Sequence, residues 1–272
     1  MFELDVLLPE PPSGEDALAS ILERCRNAPT AYEHWAPAVE TAGVSSPATL
    51  LVPLSTGLQL TFIDGYPPTP ETEANLDQIV KAVEEMGAKH GFPLFIKTSF
   101  TSNKHYWQET CCLPNADRGT IIKHMGEILF SQGFSPYPFA ASLLIREMLK
   151  TKPAFHAFGS MPVTQEFRFF AGNGTVEGYQ PYWPKESIKD PSAPDWEQKL
   201  AVINSINDQD LEQLTKMAGD ITRHLDGEWS VDFLKDRDGK WWLIDMAEAK
   251  LSYVNKLEYK SLKVDTDLVP GL

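Results

Sequence analysis

Ser230-Val231-Asp232-Phe233-Leu234 and Trp241-Trp242-Leu243-Ile244-Asp245-Met246 are the two stretches of sequence that decide the fold. Each is a run of β-forming residues that carries one acidic side chain. Between them, Asp238-Gly239 is typical of a type I′ hairpin turn, in which both central residues need a positive φ. We therefore predict two antiparallel strands that each hold a carboxylate among apolar neighbours.

Asp232 and Asp245 are candidate metal ligands. A buried carboxylate is costly unless a partner, often a cation, compensates its charge. Glu248 follows three residues after Asp245 and adds a third oxygen donor, although an exposed loop position explains this residue equally well. Oxygen donors of this kind suit Mg²⁺, which commonly accompanies nucleotide phosphates. The hairpin therefore predicts a magnesium site.

The composition predicts a folded, soluble protein. The chain has 272 residues, of which 42% are hydrophobic and 11% aromatic, enough for one large domain or two to three packed subdomains. No apolar run approaches the roughly 18–20 residues that span a bilayer. The first residues also lack the basic start and apolar stretch of a secretory signal. We expect a cytoplasmic location and no membrane partner.

Net charge and cysteine content limit the function further. The net charge of −14 repels nucleic acid at long range, so a nucleic-acid partner is disfavoured and would need a local basic channel. The three cysteines, Cys25, Cys111 and Cys112, fit neither a disulfide framework nor a zinc site. Nothing in the sequence indicates the oligomeric state.

The pattern of elements predicts an α+β chain with antiparallel sheets in three units. These are a small N-terminal α/β unit over 1–70, a second unit over 71–150 and a third over 151–272. The first unit has a predicted helix over 15–26 and strands over 48–54 and 58–63. The later elements are helices over 71–90, 117–131 and 208–225, and strands over 92–98, 108–113, 140–149, 154–160, 164–171 and 175–182.

An apolar strand over 93–97 ends in Lys97, and the hydroxyl-rich segment after it carries Ser102 and Lys104. Backbone N–H groups, hydroxyls and a cation in such a loop suit phosphate oxygens. The loop is not a P-loop, because Gly-x-x-x-x-Gly-Lys is absent. A lysine that simply reaches solvent is the alternative interpretation of Lys97.

The strand over 140–149 ends in Arg146-Glu147-Met148-Leu149. A strand end leaves unpaired backbone N–H and C=O groups, which can bind the edge of an adenine ring. Glu147 can accept from the adenine amino group, while Met148 and Leu149 can pack against the ring. A structural ion pair between Arg146 and Glu147 is the alternative.

Glu166 and Arg168 share one face of a predicted strand, and Phe167 and Phe169 share the other, because strand side chains alternate. The polar face suits a triphosphate clamp, although an arginine among aromatic residues is often a stacked structural residue. The histidines lack zinc-site spacing, and neither a Gly-x-Ser-x-Gly elbow nor a dinucleotide fingerprint is present. Hydrolase and dinucleotide-binding functions therefore lose support.

Taken in chain order, these segments resemble the ATP-grasp superfamily over roughly residues 71–253. The resemblance implies an ATP-grasp fold, in which two α+β subdomains hold ATP between antiparallel sheets. It implies that Lys97 contacts phosphate and that Ser102 and Lys104 belong to the loop over the phosphates. The residues implied to bind the adenine are Glu147, Met148 and Leu149.

The resemblance also implies roles at the phosphate end. Arg168 would face the γ-phosphate together with Glu166, and Asp232 and Asp245 would ligate Mg²⁺. Ala247 stands where most ATP-grasp ligases carry an asparagine metal ligand, so either Glu248 substitutes or the site has fewer ligands. Arg146 and Arg168, with Lys97, are similar to a divergent phage and bacterial branch of the superfamily.

That branch includes predicted RNA-repair ligases and is related to a eukaryotic ATP-grasp protein that assembles a translation initiation factor. The resemblance implies an enzyme that uses ATP and Mg²⁺ to join a small-molecule or peptide carboxylate to an amine through an acyl-phosphate, with release of ADP and phosphate. Arg168, Lys97 and Arg146 would be its catalytic residues. The alternatives are RNA end joining or nucleotidyl transfer, and a non-catalytic ATP-binding assembly factor for a protein partner.

Overall fold

A computed structural model describes residues 14–262 and has the predicted α+β architecture with antiparallel sheets. Its helices are α1 Gly14–Arg26, α2 Tyr32–Thr41, α3 Thr56–Ile63, α4 Pro70–His90, α5 Arg118–Gly133, α6 Trp196–Ile203 and α7 Asp208–Thr222. Its strands are β1 Thr49–Pro53, β2 Leu94–Thr98, β3 Cys112–Leu113, β4 Ser142–Glu147, β5 Phe155–Ala157, β6 Met161–Val163, β7 Glu166–Gly172, β8 Thr175–Pro181, β9 Trp229–Lys235, β10 Trp241–Glu248 and β11 Lys260–Ser261. No helix in this range is long and apolar enough to cross a bilayer.

The first sheet has the strand order β1-β4-β2-β3. One face packs against α3, α4 and α5, and it buries Leu94 and Ile96 of β2 and Leu143 and Ile145 of β4. Because strand side chains alternate, the residues between them point to the opposite face. That face carries Lys97 and the other polar residues that concern function.

The second sheet has the strand order β10-β9-β7-β8-β11. Its inner face packs against α7 and α2, and its core includes Phe167, Phe169, Val231 and Phe233. The polar residues that alternate with these lie on the other face, which is turned toward the first sheet. The hairpin predicted from the sequence is present, because β9 and β10 pair along their length.

A β-bulge in β10 determines which of its residues face the first sheet. The register shifts between Leu243 and Asp245, so two residues oppose one across the ladder. Leu243 and Met246 are therefore both buried in the core, while Ile244 and Asp245 both line the space between the sheets. Without the bulge, strict alternation would have put Ile244 and Met246 on one face.

The predicted type I′ turn is wrong, although the hairpin is right. Gly239 has a φ of 86°, but Asp238 has no positive φ. The Asp236 carboxylate accepts from the backbone N–H groups of Asp238 and Lys240, each at 2.9 Å. These bonds hold a longer loop in which one glycine provides the left-handed conformation.

The predicted strand over 58–63 is a helix, α3. Ser55 caps it, because its Oγ accepts from the Leu58 N–H at 3.2 Å. A short apolar run does not distinguish a buried strand from a buried helix by periodicity. The helix packs closely on α5, where a Cβ at Gly126 would lie 2.9 Å from Phe62 and one at Gly133 would lie 2.8 Å from Ile63.

The N-terminal segment contributes to both sheets. β1 pairs with β4 at the edge of the first sheet, whereas α2, which sequence analysis missed, packs into the core of the second sheet. Pro37 lies inside α2, and an internal proline argues against a helix in the sequence. The three predicted units stay a prediction, and their outer ends, residues 1–13 and 263–272, lie outside the described residues.

Trp35 tests the attachment of α2 to the second sheet. Its side chain is 1% exposed in the core, so Trp35→Ala is expected to lower the free energy of unfolding by about 3–5 kcal/mol. Urea denaturation measures this change. The control is Phe134→Ala, which truncates an aromatic side chain that is 79% exposed and should change stability by no more than about 0.5 kcal/mol. Equal effects of the two substitutions would contradict the packing of α2.

Candidate functional site

A cavity of about 380 Å³ lies between the polar faces of the two sheets. Residues from both sheets and from the connection between β4 and β5 line it. Of the residues predicted from the sequence, those that line the cavity are Lys97, Ser102, Lys104, Arg146, Glu147, Met148, Leu149, Glu166, Asp232 and Asp245. Arg168 adjoins them through Asp232. Glu248 is not among the lining residues.

Arg168 and Asp232 form a bidentate ion pair on neighbouring strands. They are register partners on β7 and β9, and Arg168 Nε and Nη2 each donate to an Asp232 oxygen at 2.7 Å. Burial alone would lower the pKa of Arg168, but the Asp232 carboxylate raises it on balance. The guanidinium is therefore a fixed positive charge at this end of the cavity.

Lys97 and Asp245 form an ion pair that joins the two sheets. Lys97 Nζ on β2 lies 2.8 Å from Asp245 Oδ1 on β10, and the lysine side chain is 3% exposed against 43% for the aspartate. Burial lowers the pKa of Lys97, although Asp245 opposes the shift. For Asp245, burial favours the neutral acid, but Lys97 outweighs this and lowers its pKa.

Lys104 and Glu166 form a second ion pair between the subdomains, at 3.3 Å. Asn103, with a left-handed φ of 51°, turns the chain just before Lys104, and its carbonyl accepts from the Thr110 hydroxyl. Burial raises the pKa of Glu166 to about 7 although Lys104 opposes the shift. Burial alone would lower the pKa of Lys104, but Glu166 and Tyr182 raise it on balance.

Arg146 differs from the other three cations because it forms no salt bridge within the described residues. Its Nη1 donates to the Ile244 carbonyl at 2.7 Å, and its guanidinium lies 4.9 Å from the centre of the Tyr32 ring. The residue is 3% exposed, and its Nε is buried without a hydrogen-bond partner. Burial lowers the pKa of Arg146. A buried cation with an unused donor fits an anionic ligand.

The other end of the cavity has an apolar lining. Phe95, Met148, Leu149, Leu234 and Ile244 contribute to it, and such a surface fits a planar heterocycle. The carboxylate expected to bind adenine has partners in the protein. Glu147 Oε1 accepts from the Ala48 N–H at 2.8 Å, and Oε2 lies 3.5 Å from His90 Nδ1.

The expected trio of metal ligands is not assembled. The described residues contain no cluster of three or more His, Cys, Asp or Glu side chains that suits a metal. Glu248 pairs with Lys250 at 2.9 Å, and three positions along a strand from Asp245 place it on the opposite face. Asp232 and Asp245 are register partners, and two carboxylates fit Mg²⁺ when phosphates and waters complete its coordination.

Sequence analysis missed two aromatic residues of the site. Tyr182 lies 3.9 Å from Lys104 Nζ and 4.9 Å from Arg168 Cζ, measured to the ring centre, and Tyr32 covers Arg146. Tyr182 directly follows β8, so its side chain's direction is not set by a strand pattern. Tyr32 lies on the helix that sequence analysis missed, and no signal in the sequence connects it with the site.

The fold and the site define the class of protein as an ATP-grasp domain. Residues 85–263 match the model of an ATP-grasp domain family, family 3 of the clade named for two arginines and one lysine, and the chain belongs to this family. The resemblance to a divergent ATP-grasp branch and the ATP-grasp fold are therefore confirmed. No curated protein matches the sequence.

Two solved structures share the fold. C-terminally truncated Cdc123 from Schizosaccharomyces pombe is 13% identical with a TM-score of 0.52, over 85% of each chain. Cdc123 from the same organism is 14% identical with a TM-score of 0.50, over 86% of this chain and 89% of the other. At these identities the likeness concerns the fold alone.

Glu166 predicts a pH dependence of stability. Its pKa of about 7 in the folded protein exceeds the ordinary value of 4.5, so the folded state binds this proton more tightly than the unfolded state. The resulting stabilisation is fully present below about pH 4.5 and is lost as the pH rises through about 7. Glu166→Gln removes the titrating group. The loss of unfolding free energy between pH 5 and pH 8 should therefore shrink by about 2 kcal/mol.

Urea denaturation at the two pH values measures the difference. Glu85→Gln, which makes the same change at an exposed position of α4, is the matched control. If Glu166→Gln and the wild-type protein lose the same free energy between pH 5 and pH 8, the raised pKa is contradicted.

Proposed function

We propose that this protein is an ATP-dependent ligase that joins a carboxylate to an amine or similar nucleophile through an acyl-phosphate, with release of ADP and phosphate. The observation that carries the proposal is the set of four cations around one cavity of an ATP-grasp domain. Lys97, Lys104 and Arg168 each have a carboxylate partner, whereas Arg146 has none in the described part of the chain. Such a set suits the charge of a triphosphate.

ATP fits the cavity in one orientation. The apolar end, with Phe95, Leu149 and Ile244, would hold the adenine, and the backbone of Met148 and Leu149 would bind its edge. The triphosphate would then reach Lys97 and Arg146. Its oxygens would take up the unused donor of Arg146 and compete with Asp245 for Lys97.

Mg²⁺ fits beside the phosphates, where Asp232 and Asp245 would hold it. It would supply neutralisation of the phosphate charge. Arg168 stays beside Asp232 as a fixed positive charge, placed to stabilise the charge that develops when a substrate carboxylate attacks the γ-phosphate. The proposal needs no covalent nucleophile from the protein. Cys111 is unsuited to that role, because burial raises the pKa of its thiol to about 12.

A non-catalytic ATP-binding assembly factor is the second candidate function. Exposed apolar side chains on one segment favour it: Leu251 is 50% exposed, Tyr253 63% and Leu257 91%. Apolar side chains grouped on a surface are typical of protein–protein contacts. Nucleotide binding without turnover on any substrate would favour this candidate over the ligase.

The products of the reaction test the ligase proposal. Hydroxylamine replaces the unknown amine, and mixtures of amino acids and peptides supply the carboxylate, with Mg²⁺ and ATP labelled in the α- or γ-phosphate. We expect ADP, phosphate and a hydroxamate, formed only when a carboxylate is present. AMP as the steady product would contradict an acyl-phosphate mechanism.

Arg168→Gln is expected to lower the rate of ADP formation by at least about a hundredfold, because it removes a charge placed to stabilise the transition state. Circular dichroism confirms that the variant is folded. The matched control is Arg118→Gln, because Arg118 pairs with Glu73 and Asp77 outside the cavity. Equal rates in the two variants would exclude Arg168 from the reaction.

A further inference from the structure

The ammonium group of Lys104 sits in an aromatic box formed by Tyr182, Trp183 and Glu166. Lys104 Nζ lies 3.9 Å from the centre of the Tyr182 ring and 4.8 Å from that of Trp183. The third wall is the Glu166 carboxylate, 3.3 Å away. Ring faces attract cations through their quadrupole, and proteins bind alkylammonium ligands with such rings and a carboxylate.

The aromatic box borders the phosphate end of the cavity. Its three walls line the same cavity as Lys97 and Asp245. The Tyr182 ring also lies 4.9 Å from Arg168 Cζ, so one ring contacts both the box and the arginine proposed to face the transferred phosphate. A ligand in the box would therefore lie next to the reacting groups.

Lys104 is a side chain that a stronger anion can draw away. It belongs to neither sheet, and within the described residues Glu166 is its salt-bridge partner. Because the pKa of Glu166 is raised to about 7, this carboxylate is about half protonated near neutral pH. The Lys104 side chain is 21% exposed, and a triphosphate carries several negative charges in the same cavity.

We infer that the aromatic box is the subsite for the ammonium group of the amine substrate, and that Lys104 occupies it until nucleotide phosphates draw this side chain out. The inference rests on the ligase function proposed above. It defines the substrate class as an amine on an unbranched aliphatic chain, as in lysine itself or a polyamine. It also predicts that the nucleotide binds before the amine.

Lys104→Ala tests the box directly, because the truncation leaves room for a free amine. We expect n-butylammonium to bind this variant at least about tenfold more tightly than butan-1-ol, which has the same chain without the charge. Isothermal titration calorimetry measures both ligands. Lys123→Ala, which truncates a lysine of α5 outside the cavity, is the matched control and should gain no amine binding.

Tyr182 provides the second substitution in the Lys104→Ala background. Tyr182→Phe keeps the ring and should retain butylammonium binding, whereas Tyr182→Leu should abolish it. Circular dichroism and thermal unfolding confirm that each variant is folded. The inference is overturned if folded Lys104→Ala binds no butylammonium, if butanol binds equally well, or if the leucine variant binds as the phenylalanine variant does.

A non-hydrolysable ATP analogue tests the order of binding in the wild-type protein. We expect butylammonium to bind at least about tenfold more tightly when the analogue is present. Analogue binding without any effect on the amine overturns the displacement of Lys104, and leaves the ligase proposal standing. Absence of analogue binding contradicts the ligase, whereas amine binding to Lys104→Ala still decides whether the box recognises ammonium groups.

Discussion

Charged side chains lie side by side between the two sheets, and the rest of the structure depends on their pairing. Arg168, Asp232 and Asp245 are neighbours across β7, β9 and β10, and Lys97 reaches Asp245 from the first sheet. Removing one partner of a buried pair costs about 3–5 kcal/mol, because the other charge is left uncompensated. The β-bulge in β10 is part of this arrangement, since it turns Asp245 toward the first sheet while Met246 stays in the core.

The same cations are placed to bind phosphate. Three have internal carboxylate partners and hold the two subdomains together, so a triphosphate would replace contacts that already exist. Arg146 is the exception, with one backbone carbonyl, one aromatic ring and an unused donor around its guanidinium. Its buried charge is held in place by Tyr32 on α2, a helix that lies outside the residues matched by the family model. The N-terminal segment is therefore part of the site.

Much of the fold and the site could be predicted from local patterns. The β9–β10 hairpin, the helices α4 and α5 and the shared face of Glu166 and Arg168 follow from periodicity and turn chemistry. The errors come from tertiary contacts: α3 is an apolar run whose helical form depends on packing against α5, and α2 forms despite Pro37. The site's pairings depend on strand register, which no single segment encodes. Glu248 was expected beside Asp245, but alternation along the strand separates the two side chains.

Calorimetric titration with ATP and with adenosine tests most directly whether the buried cations form a triphosphate site. In the presence of Mg²⁺, the wild-type protein should bind ATP at least about a hundredfold more tightly than adenosine. Arg146→Gln, once shown to be folded, should lose most of this difference and keep its affinity for adenosine. Equal affinities of the wild-type protein for ATP and adenosine, or no binding of ATP, would contradict the account.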